Sequence, residues 1–429
     1  MSIIHELTKK TALPPMFLCR QYFSRERLEV QDIPDHLRAQ LDQEKFRSRL
    51  RPGMTIALTA GSRGISNMPL ILRTLVNYLS GMGTVPFIVP AMGSHGGATA
   101  EGQLEMLAAL GITEESMGCP LRSSMAVKEI GRTAEGHAVY LDEIAATADG
   151  IIAVNRIKPH TAYAGPYGSG LMKMLTIGLG KQTGAEACHA WGFEELARLV
   201  PAYGQVILDN TPLLFALGII ENPYDETWRL VPLLNEEIAG REPLLQEEAR
   251  KQMPRIYIEQ ADVLIVDSMG KNYSGFGMDP NITGRAGSGF SMPGLSPQRL
   301  GVLDLTAVSH GNGEGVGMAD FITRRLFNKL DLEKVYANCV TALSFRGGYI
   351  PVIAESDADL IRLAVQSCVG IDRRQPRIIR ISNTLNLEHI RISGALAAEA
   401  GQHPQMDIEG EAQPWPFDRQ GNLTDLYRA

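Results

Sequence analysis

The sequence predicts an α/β fold, built as two α/β domains with mainly parallel sheets. Two observations predict it: short apolar runs alternate with segments of helical periodicity, and a charged helical stretch over residues 230–254 interrupts this alternation. A chain of 429 residues also has room for two to three domains of about 150 residues. We place the domain boundary near residue 255, which gives an N-terminal domain over 1–255 and a C-terminal domain over 256–429.

The N-terminal domain should begin its regular structure after the charged first 50 residues. Buried strands are predicted where apolar or β-branched residues run together, helices where apolar residues recur at helical spacing, and turns where glycines cluster. Thr99 is a plausible N-cap, and Gly111 would close the helix that it starts. In order, the predicted elements are a strand over 54–59, a turn over 61–64, a helix over 70–79, a strand over 85–89, a turn over 93–97, a helix over 99–110 and a strand over 150–154.

The C-terminal domain should open with a fresh buried strand over 261–266. Further elements are predicted over 302–305, 320–330 and 352–354. Because strands and helices alternate here as well, the same parallel α/β construction is expected.

Functional residues should follow the strands of such a fold. Parallel α/β sheets bind ligands at the carboxyl ends of their strands. The turns after residues 59, 89, 154 and 266 each have a cationic or titratable side chain close by: Arg63, His95, His160 and Lys271.

Composition and charge exclude several classes of protein. Lys and Arg total 41 against 48 Asp and Glu, a net charge of −7, which argues against a nucleic-acid or anionic-membrane partner. No apolar run approaches the ~20 residues of a membrane span, and the N-terminus has no apolar signal-peptide core. Five cysteines without a CxxC pair are typical of reduced thiols, so we expect a cytoplasmic protein.

Familiar enzyme signatures are absent from the sequence. There is no HExxH zinc motif, no G-x-S-x-G serine elbow, no Walker A loop and no complete dinucleotide-binding fingerprint. These absences disfavour zinc proteases, serine hydrolases, P-loop ATPases and ordinary NAD enzymes.

The densest candidate segment covers residues 156–193, where five glycines lie between His160 and Lys181. Glycines at this density let backbone N–H groups approach a phosphate closely, and Gly165, Gly168 and Gly170 are the candidates for that contact. A lysine of the segment could pair with a phosphate, or act as a covalent amine if its pKa were lowered. The alternative is a flexible glycine-rich loop with solvated lysines.

Two histidines are candidates for proton transfer. His95 and His160 each follow a predicted strand and precede glycines. Imidazole is the side chain best matched to proton transfer near neutral pH, although a histidine in such a place can also be a structural hydrogen-bonding group.

The sequence resembles the nickel-dependent lactate racemase family in the order and spacing of five residues: Arg63, His95, His160, Lys173 and His189. This family consists of nickel pincer nucleotide racemases and epimerases that act on 2-hydroxy acids. The resemblance is most specific over 54–193, in the PHTAYAG segment (159–165), the glycine-rich run and the histidine sixteen residues after the lysine. It implies an active site in the cleft between two α/β domains.

The resemblance also implies a cofactor, a pyridinium mononucleotide whose two sulfur arms hold nickel. Lys173 would be the lysine tethered to this nucleotide, and His189 would complete the nickel coordination. Cofactor-synthesis proteins would then be partners, and protein from a heterologous host could lack the cofactor.

Substrate contacts are implied in the same way. His95 and His160 would be the two acid/base residues, one for each face of a 2-hydroxy acid, while hydride passes to the cofactor and a planar 2-keto acid forms. Arg63 would bind the substrate carboxylate, and Lys271 would assist from the second domain.

Two departures from the family pattern put the identity of the substrate in doubt. Ala60 stands where lactate enzymes have an aspartate, and the interval from His160 to Lys173 is longer, by residues around 166–168. Two alternatives stay open at this point: a non-catalytic binder of a nucleotide or organic acid, and a metal-dependent lyase with His95 and His160 as ligands. A homo-oligomer is also left open.

Overall fold

The structure, a computed structural model, describes residues 2–289 and 292–426. The chain forms two compact units, each with its own sheet. The N-terminal unit consists of residues 24–160 and 164–253. The C-terminal unit consists of the described residues up to Phe23, Thr161–Tyr163 and the described residues from Pro254 onward.

The strands are β1 (Met16–Gln21), β2 (Thr55–Ala60), β3 (Val85–Pro90), β4 (Val127–Arg132), β5 (Ala138–Asp142), β6 (Gly150–Arg156), β7 (Leu213–Glu221), β8 (Thr227–Leu234), β9 (Gln260–Met269), β10 (Ser296–Leu305), β11 (Phe321–Thr323), β12 (Val352–Ala354), β13 (Ile378–Ile381), β14 (His389–Ser393) and β15 (Met406–Gln413).

The α-helices are α1 (Ile3–Thr8), α2 (Ile33–Leu41), α3 (Glu44–Arg47), α4 (Met68–Gly81), α5 (Ala100–Ala109), α6 (Glu114–Met117), α7 (Glu143–Ala146), α8 (Leu171–Lys173), α9 (Lys181–His189), α10 (Phe193–Asn210), α11 (Asn235–Lys251), α12 (Pro280–Thr283), α13 (Arg324–Phe327), α14 (Leu332–Ala342), α15 (Asp357–Ser367) and α16 (Ala397–Gln402). A π-helical turn over Met174–Gly178 follows α8 directly.

The N-terminal unit is built on a five-stranded sheet in the order β3-β2-β6-β7-β8. The first four strands run parallel, and β8 pairs antiparallel with β7. Helices α2 and α4 pack their apolar faces on this sheet through fully buried residues such as Leu37, Leu72 and Leu75. This packing leaves the carboxyl ends of β2, β3 and β6 at one edge, where the loops of the candidate site begin.

The C-terminal unit is built on an eight-stranded sheet in the order β12-β11-β10-β9-β13-β14-β1-β15. Strands β9 to β13 are parallel to one another, and the other three pair antiparallel. Apolar clusters cover both faces of this sheet, as expected for parallel strands.

The predicted fold class is confirmed, since both units are α/β with mainly parallel sheets. The strands predicted over 54–59, 85–89, 150–154 and 261–266 are β2, β3, β6 and β9. The side chain of Thr99 caps α5 as predicted, accepting a hydrogen bond from the backbone N–H of Gly102 at 3.1 Å.

Some boundaries differ from the prediction because pairing over long sequence distance decides them. The stretch predicted as helical over 230–254 starts with the last residues of β8, because Leu230 and Leu233 are buried against β7. Helix α11 begins only at Asn235. Residues 1–23 were assigned to the N-terminal domain, but β1 lies between β14 and β15 and joins the C-terminal unit.

In the part of the chain that the structure describes, no helix combines the length and the apolar character needed to cross a membrane.

Candidate functional site

The loop after β2 carries a serine and an arginine that face the other site loops. Ser62 Oγ lies 2.5 Å from Nδ1 of His95. Arg63 follows it and has no carboxylate partner among the described residues. Burial and then the charge of another cation, Arg156, lower the pKa of Arg63. A guanidinium in this state is available to an anionic ligand.

The loop after β3 carries His95. The loop turns sharply at Gly93, where φ is +60°, a conformation that favours glycine. The backbone N–H of Gly93 donates to the carbonyl of Gly178 at 3.2 Å, which ties this loop to the π-helical turn. His95 therefore has a fixed place at the rim of the site.

The loop after β6 carries His160 and closes on itself. Lys158 and Ser169 exchange two backbone hydrogen bonds of 2.9 and 2.8 Å, so the intervening residues form a closed loop. The side chain of Asn155 donates to the carbonyl of Gly170 at 2.8 Å and fixes the chain again one residue later. This closure brings residues far apart in the glycine-rich segment back to the end of β6.

The loop closure places His160 beside Lys173. The Nζ atom of Lys173 lies 2.9 Å from Nε2 of His160. Lys173 is the last residue of α8, immediately before the π-helical turn, a rare conformation that is frequent at functional sites. Thr176 supports that turn by donating to the carbonyl of Met172 at 2.9 Å.

A cavity of about 230 Å³ opens between these loops. His189, the last residue of α9, faces it from the opposite end of the glycine-rich segment. Three of the predicted residues share this cavity with His189, namely Arg63, His95 and Lys173. Its other polar lining comes from Ser62, Ser94, Asn155 and Ser169.

Electrostatics keep the three imidazoles of the site neutral at pH 7. Burial and then the charges of Arg63 and Lys173 lower the pKa of His95 to about 4. Burial and then Lys173 lower the pKa of His189 to about 4 and that of His160 well below its ordinary value. Burial and then Arg63 lower the pKa of Lys173 to about 8. The site therefore combines neutral proton acceptors with an amine that is partly unprotonated near neutral pH.

The glycines predicted to contact a cofactor have packing roles. A Cβ on Gly170 would lie 1.9 Å from Oε1 of Glu242, and a Cβ on Gly168 would lie 2.8 Å from the side chain of Gln246. At Gly165 the nearest neighbour of a Cβ would be Ala197, at 3.4 Å. Glycine at 168 and 170 is therefore explained by close contact with α11, and the predicted cofactor contacts of all three stay predictions.

No group of three or more His, Cys, Asp or Glu side chains converges to hold a metal ion anywhere in residues 2–289 and 292–426. The ring of His160 faces an amine, and that of His95 faces a hydroxyl.

A sequence profile described as the lactate racemase N-terminal domain matches residues 11–198. This match confirms the predicted resemblance to the lactate racemase family over these residues. The matched range includes Arg63, His95, His160, Lys173 and His189. The family match thus covers the segment that builds the cavity.

One solved structure similar to this chain is the lactate racemase apoprotein from Thermoanaerobacterium thermosaccharolyticum. It is 15% identical, with 74% of this chain and 75% of that chain covered at a TM-score of 0.45. No curated protein matches the chain.

Lys271 lies in the C-terminal unit, in the loop after β9 as predicted. Its ammonium group contacts Glu314 Oε2 at 2.7 Å and the carbonyl of Gly275 at 2.5 Å. Its predicted part in substrate binding stays a prediction.

Three residues of the site were not predicted, because no sequence motif contains them. Ser62 contacts His95, and only its place beside Arg63 in a glycine turn could have indicated it. Asn155 fixes Gly170 from the end of β6. Glu242, fully buried in the charged helix α11, accepts a hydrogen bond from the N–H of Met172 at 2.9 Å. Nothing in the local sequence separates Glu242 from the exposed glutamates of that helix.

Proposed function

We propose that this chain is a racemase or epimerase acting at C2 of a 2-hydroxy acid, with a nickel pincer nucleotide tethered at Lys173 as its cofactor. The observation that carries the proposal is the contact of 2.9 Å between the Lys173 amine and His160, beside a cavity that His95, His189 and Arg63 line. The match of residues 11–198 to the lactate racemase N-terminal domain supports the reaction class.

The chemistry of the donor set fits this cofactor. A neutral imidazole has an unprotonated nitrogen that suits Ni(II), and the lowered pKa of His189 keeps that nitrogen free. An amine with a pKa of about 8 is a nucleophile near neutral pH, as a covalent tether at Lys173 requires. When bound, the nickel pincer nucleotide would supply an acceptor for the hydrogen at C2.

The two histidines have separate protons to move. Inversion at one carbon needs a proton acceptor or donor for each enantiomer, so two independent imidazoles are expected. Ser62 occupies Nδ1 of His95, which leaves Nε2 of that ring for the substrate hydroxyl. In His160, Nε2 is the nitrogen that faces Lys173, on the side of the tether.

Arg63 would bind the carboxylate of the substrate. Its guanidinium has no acidic partner in the described part of the chain, and two parallel N–H groups match a carboxylate. Burial and then the charge of Arg156 lower the pKa of Arg63 in the free protein. A carboxylate bound there would reduce the repulsion between these two guanidinium groups.

The test is to express the chain together with cofactor-synthesis proteins and to measure intact mass, nickel content and loss of optical rotation. Enantiopure 2-hydroxy acids and sugar acids are the substrates to screen. We expect a mass adduct, one nickel per chain and racemisation of at least one acid. In D₂O the product should keep its C2 protium, because hydride transfer moves the hydrogen without exchange.

Variants separate the roles. Lys173→Ala should lose the adduct, His189→Ala should keep the adduct and lose nickel, and His160→Ala should keep both and lose racemisation. His36→Ala, which changes an exposed histidine on α2, is the matched control and should retain full activity. Full activity in cofactor-loaded His160→Ala would refute the assignment.

The same experiment distinguishes the proposed racemase from the alternative, a non-catalytic binding protein. A chain without adduct or nickel that binds a small acid tightly would be a binding protein of the same fold. Deuterium at C2 of the product would instead indicate proton abstraction and would overturn the hydride route.

A further inference from the structure

Lys181 is a fully buried lysine that the proposed mechanism does not use. It lies in the glycine-rich segment, where the sequence left open a phosphate contact or a solvated position. The structure contradicts both, because no part of its side chain is exposed. Its Nζ atom donates hydrogen bonds to the carbonyl of Pro90 at 2.6 Å and to Oε1 of Gln103 at 3.0 Å. It also forms an ion pair with Oδ2 of Asp142 at 3.0 Å.

The two hydrogen-bond acceptors flank the loop that carries His95. Pro90 is the last residue of β3, directly before that loop. Gln103 uses its amide to donate to the carbonyl of Gly93 at 2.9 Å and to that of His95 at 3.3 Å. The ammonium of Lys181 therefore holds the start of the loop directly and its tip through Gln103.

The backbone of Lys181 belongs to the helix that carries His189. Lys181 is the first residue of α9 and adopts φ +55°, a conformation that only an over-determined position retains in a lysine. His189 is the last residue of the same helix. The ion-pair partner, Asp142, is itself fully buried at the end of β5. Its other oxygen, Oδ1, accepts a hydrogen bond from the N–H of Ala145 at 2.8 Å and so caps α7.

We propose that Lys181 is a positioning residue that fixes the His95 loop and the His189 helix relative to each other, through the buried contacts with Gln103 and Asp142. The inference rests on the proposed function only for the importance of these two imidazoles. An ion pair of this kind is a costly way to add stability, because both charges are desolvated. Its geometric effect is specific, since the ammonium contacts three different segments of the chain.

The experiment uses the protein without cofactor, labelled with ¹³C at histidine Cε1, and follows the imidazole resonances by NMR. His95→Asn and His189→Asn assign the two signals. In Lys181→Met we expect both signals to move by more than their linewidths. Gln103→Met removes the hydrogen bonds to the carbonyls of Gly93 and His95 and leaves α9 in contact with Asp142. In this variant only the His95 signal should move.

Hydrogen exchange gives a second readout. Loss of the ammonium leaves buried acceptors without donors, so local opening of the His95 loop and of the first turn of α9 should become on the order of tenfold more frequent. Amide exchange in both segments should rise together in Lys181→Met.

Arg380→Met is the matched control. Arg380 forms an equally buried ion pair with Asp267, at 2.7 and 2.9 Å, in the C-terminal unit. Its loss should lower stability and leave both histidine signals in place. If Lys181→Met does not fold, the double variant Lys181→Met/Asp142→Asn removes the unpaired buried charge and takes its place.

Unmoved His95 and His189 signals in a folded Lys181 variant would overturn the proposal, as would an equal shift in Arg380→Met. Because the readout needs neither cofactor nor substrate, it is separate from the test of function. A chain that fails to racemise any acid but shows both shifts would refute the proposed function alone.

Discussion

The amine of Lys173 should titrate far below an ordinary lysine. Burial and the charge of Arg63 lower its pKa from 10.5 to about 8. At pH 8 about half of the Lys173 side chains would then be neutral, compared with about 0.3% for a lysine with the ordinary pKa. This difference of more than a hundredfold is what would allow a covalent tether to form at this residue near neutral pH.

The assay is pulse labelling of the cofactor-free protein with a small acetylating reagent over pH 6 to 11, read by peptide mass spectrometry. The rate at Lys173 should rise with pH and level off above about pH 8. Blocked free lysine in the same reaction serves as the reference, and its rate should still rise at pH 10. The midpoint is independent of how accessible the amine is, because accessibility scales the whole curve.

Arg63→Gln removes the second cause of the lowered pKa, so the midpoint for Lys173 should move upward. Arg198→Gln removes the same charge from an exposed position of α10 and is the matched control, for which no change is expected. A wild-type midpoint near 10 would refute the reasoning, since it would mean that Lys173 is as well solvated as a surface lysine.

Two further predictions concern the contact between Glu242 and Gly170. Burial raises the pKa of Glu242 from 4.5 to about 7, so the folded state binds the proton more tightly than the unfolded chain, and stability is lost as pH rises from 4.5 through 7. Relative to Glu242→Gln, which does not titrate, the wild type should lose about 3 kcal/mol between pH 4 and 8, measured by melting temperature; parallel curves for the two proteins would contradict this. Gly170→Ala places a Cβ 1.9 Å from Oε1 of Glu242 and should destabilise the protein by roughly 1–3 kcal/mol in chemical unfolding, whereas Gly240→Ala, in open space on α11, should stabilise it by about 0.5–1 kcal/mol. Equal effects of the two alanines would show that the contact is not as tight as described.

Much of the candidate site could be predicted because its residues follow strands. The apolar runs that form β2, β3 and β6 are visible in the sequence, and the carboxyl ends of parallel strands meet at one edge. This is why Arg63, His95 and His160 were expected in the loops after those strands. The roles assigned to them from the family resemblance remain to be tested by the experiments above.

The buried polar residues could not be predicted in the same way. Glu242 lies in a helix whose other glutamates are exposed or half-buried, and Lys181 lies among glycines that suggest a mobile loop. Whether such a side chain is buried depends on what packs over it from distant parts of the chain. Asp142 and Gln103, the partners of Lys181, are about 40 and 80 residues away in sequence, and no local pattern links the three.

Local patterning by itself determined the fold class, the positions of the central strands and the cap at Thr99, because alternation of apolar runs, glycines and capping residues acts over a few neighbouring residues. Tertiary structure alone decided that β1 joins the sheet of the C-terminal unit, and that the Lys158–Ser169 pair closes a loop which sets His160 beside Lys173. These outcomes depend on strand pairing and burial between segments far apart in the chain, where the free energy comes from surfaces that meet only once the whole unit has folded.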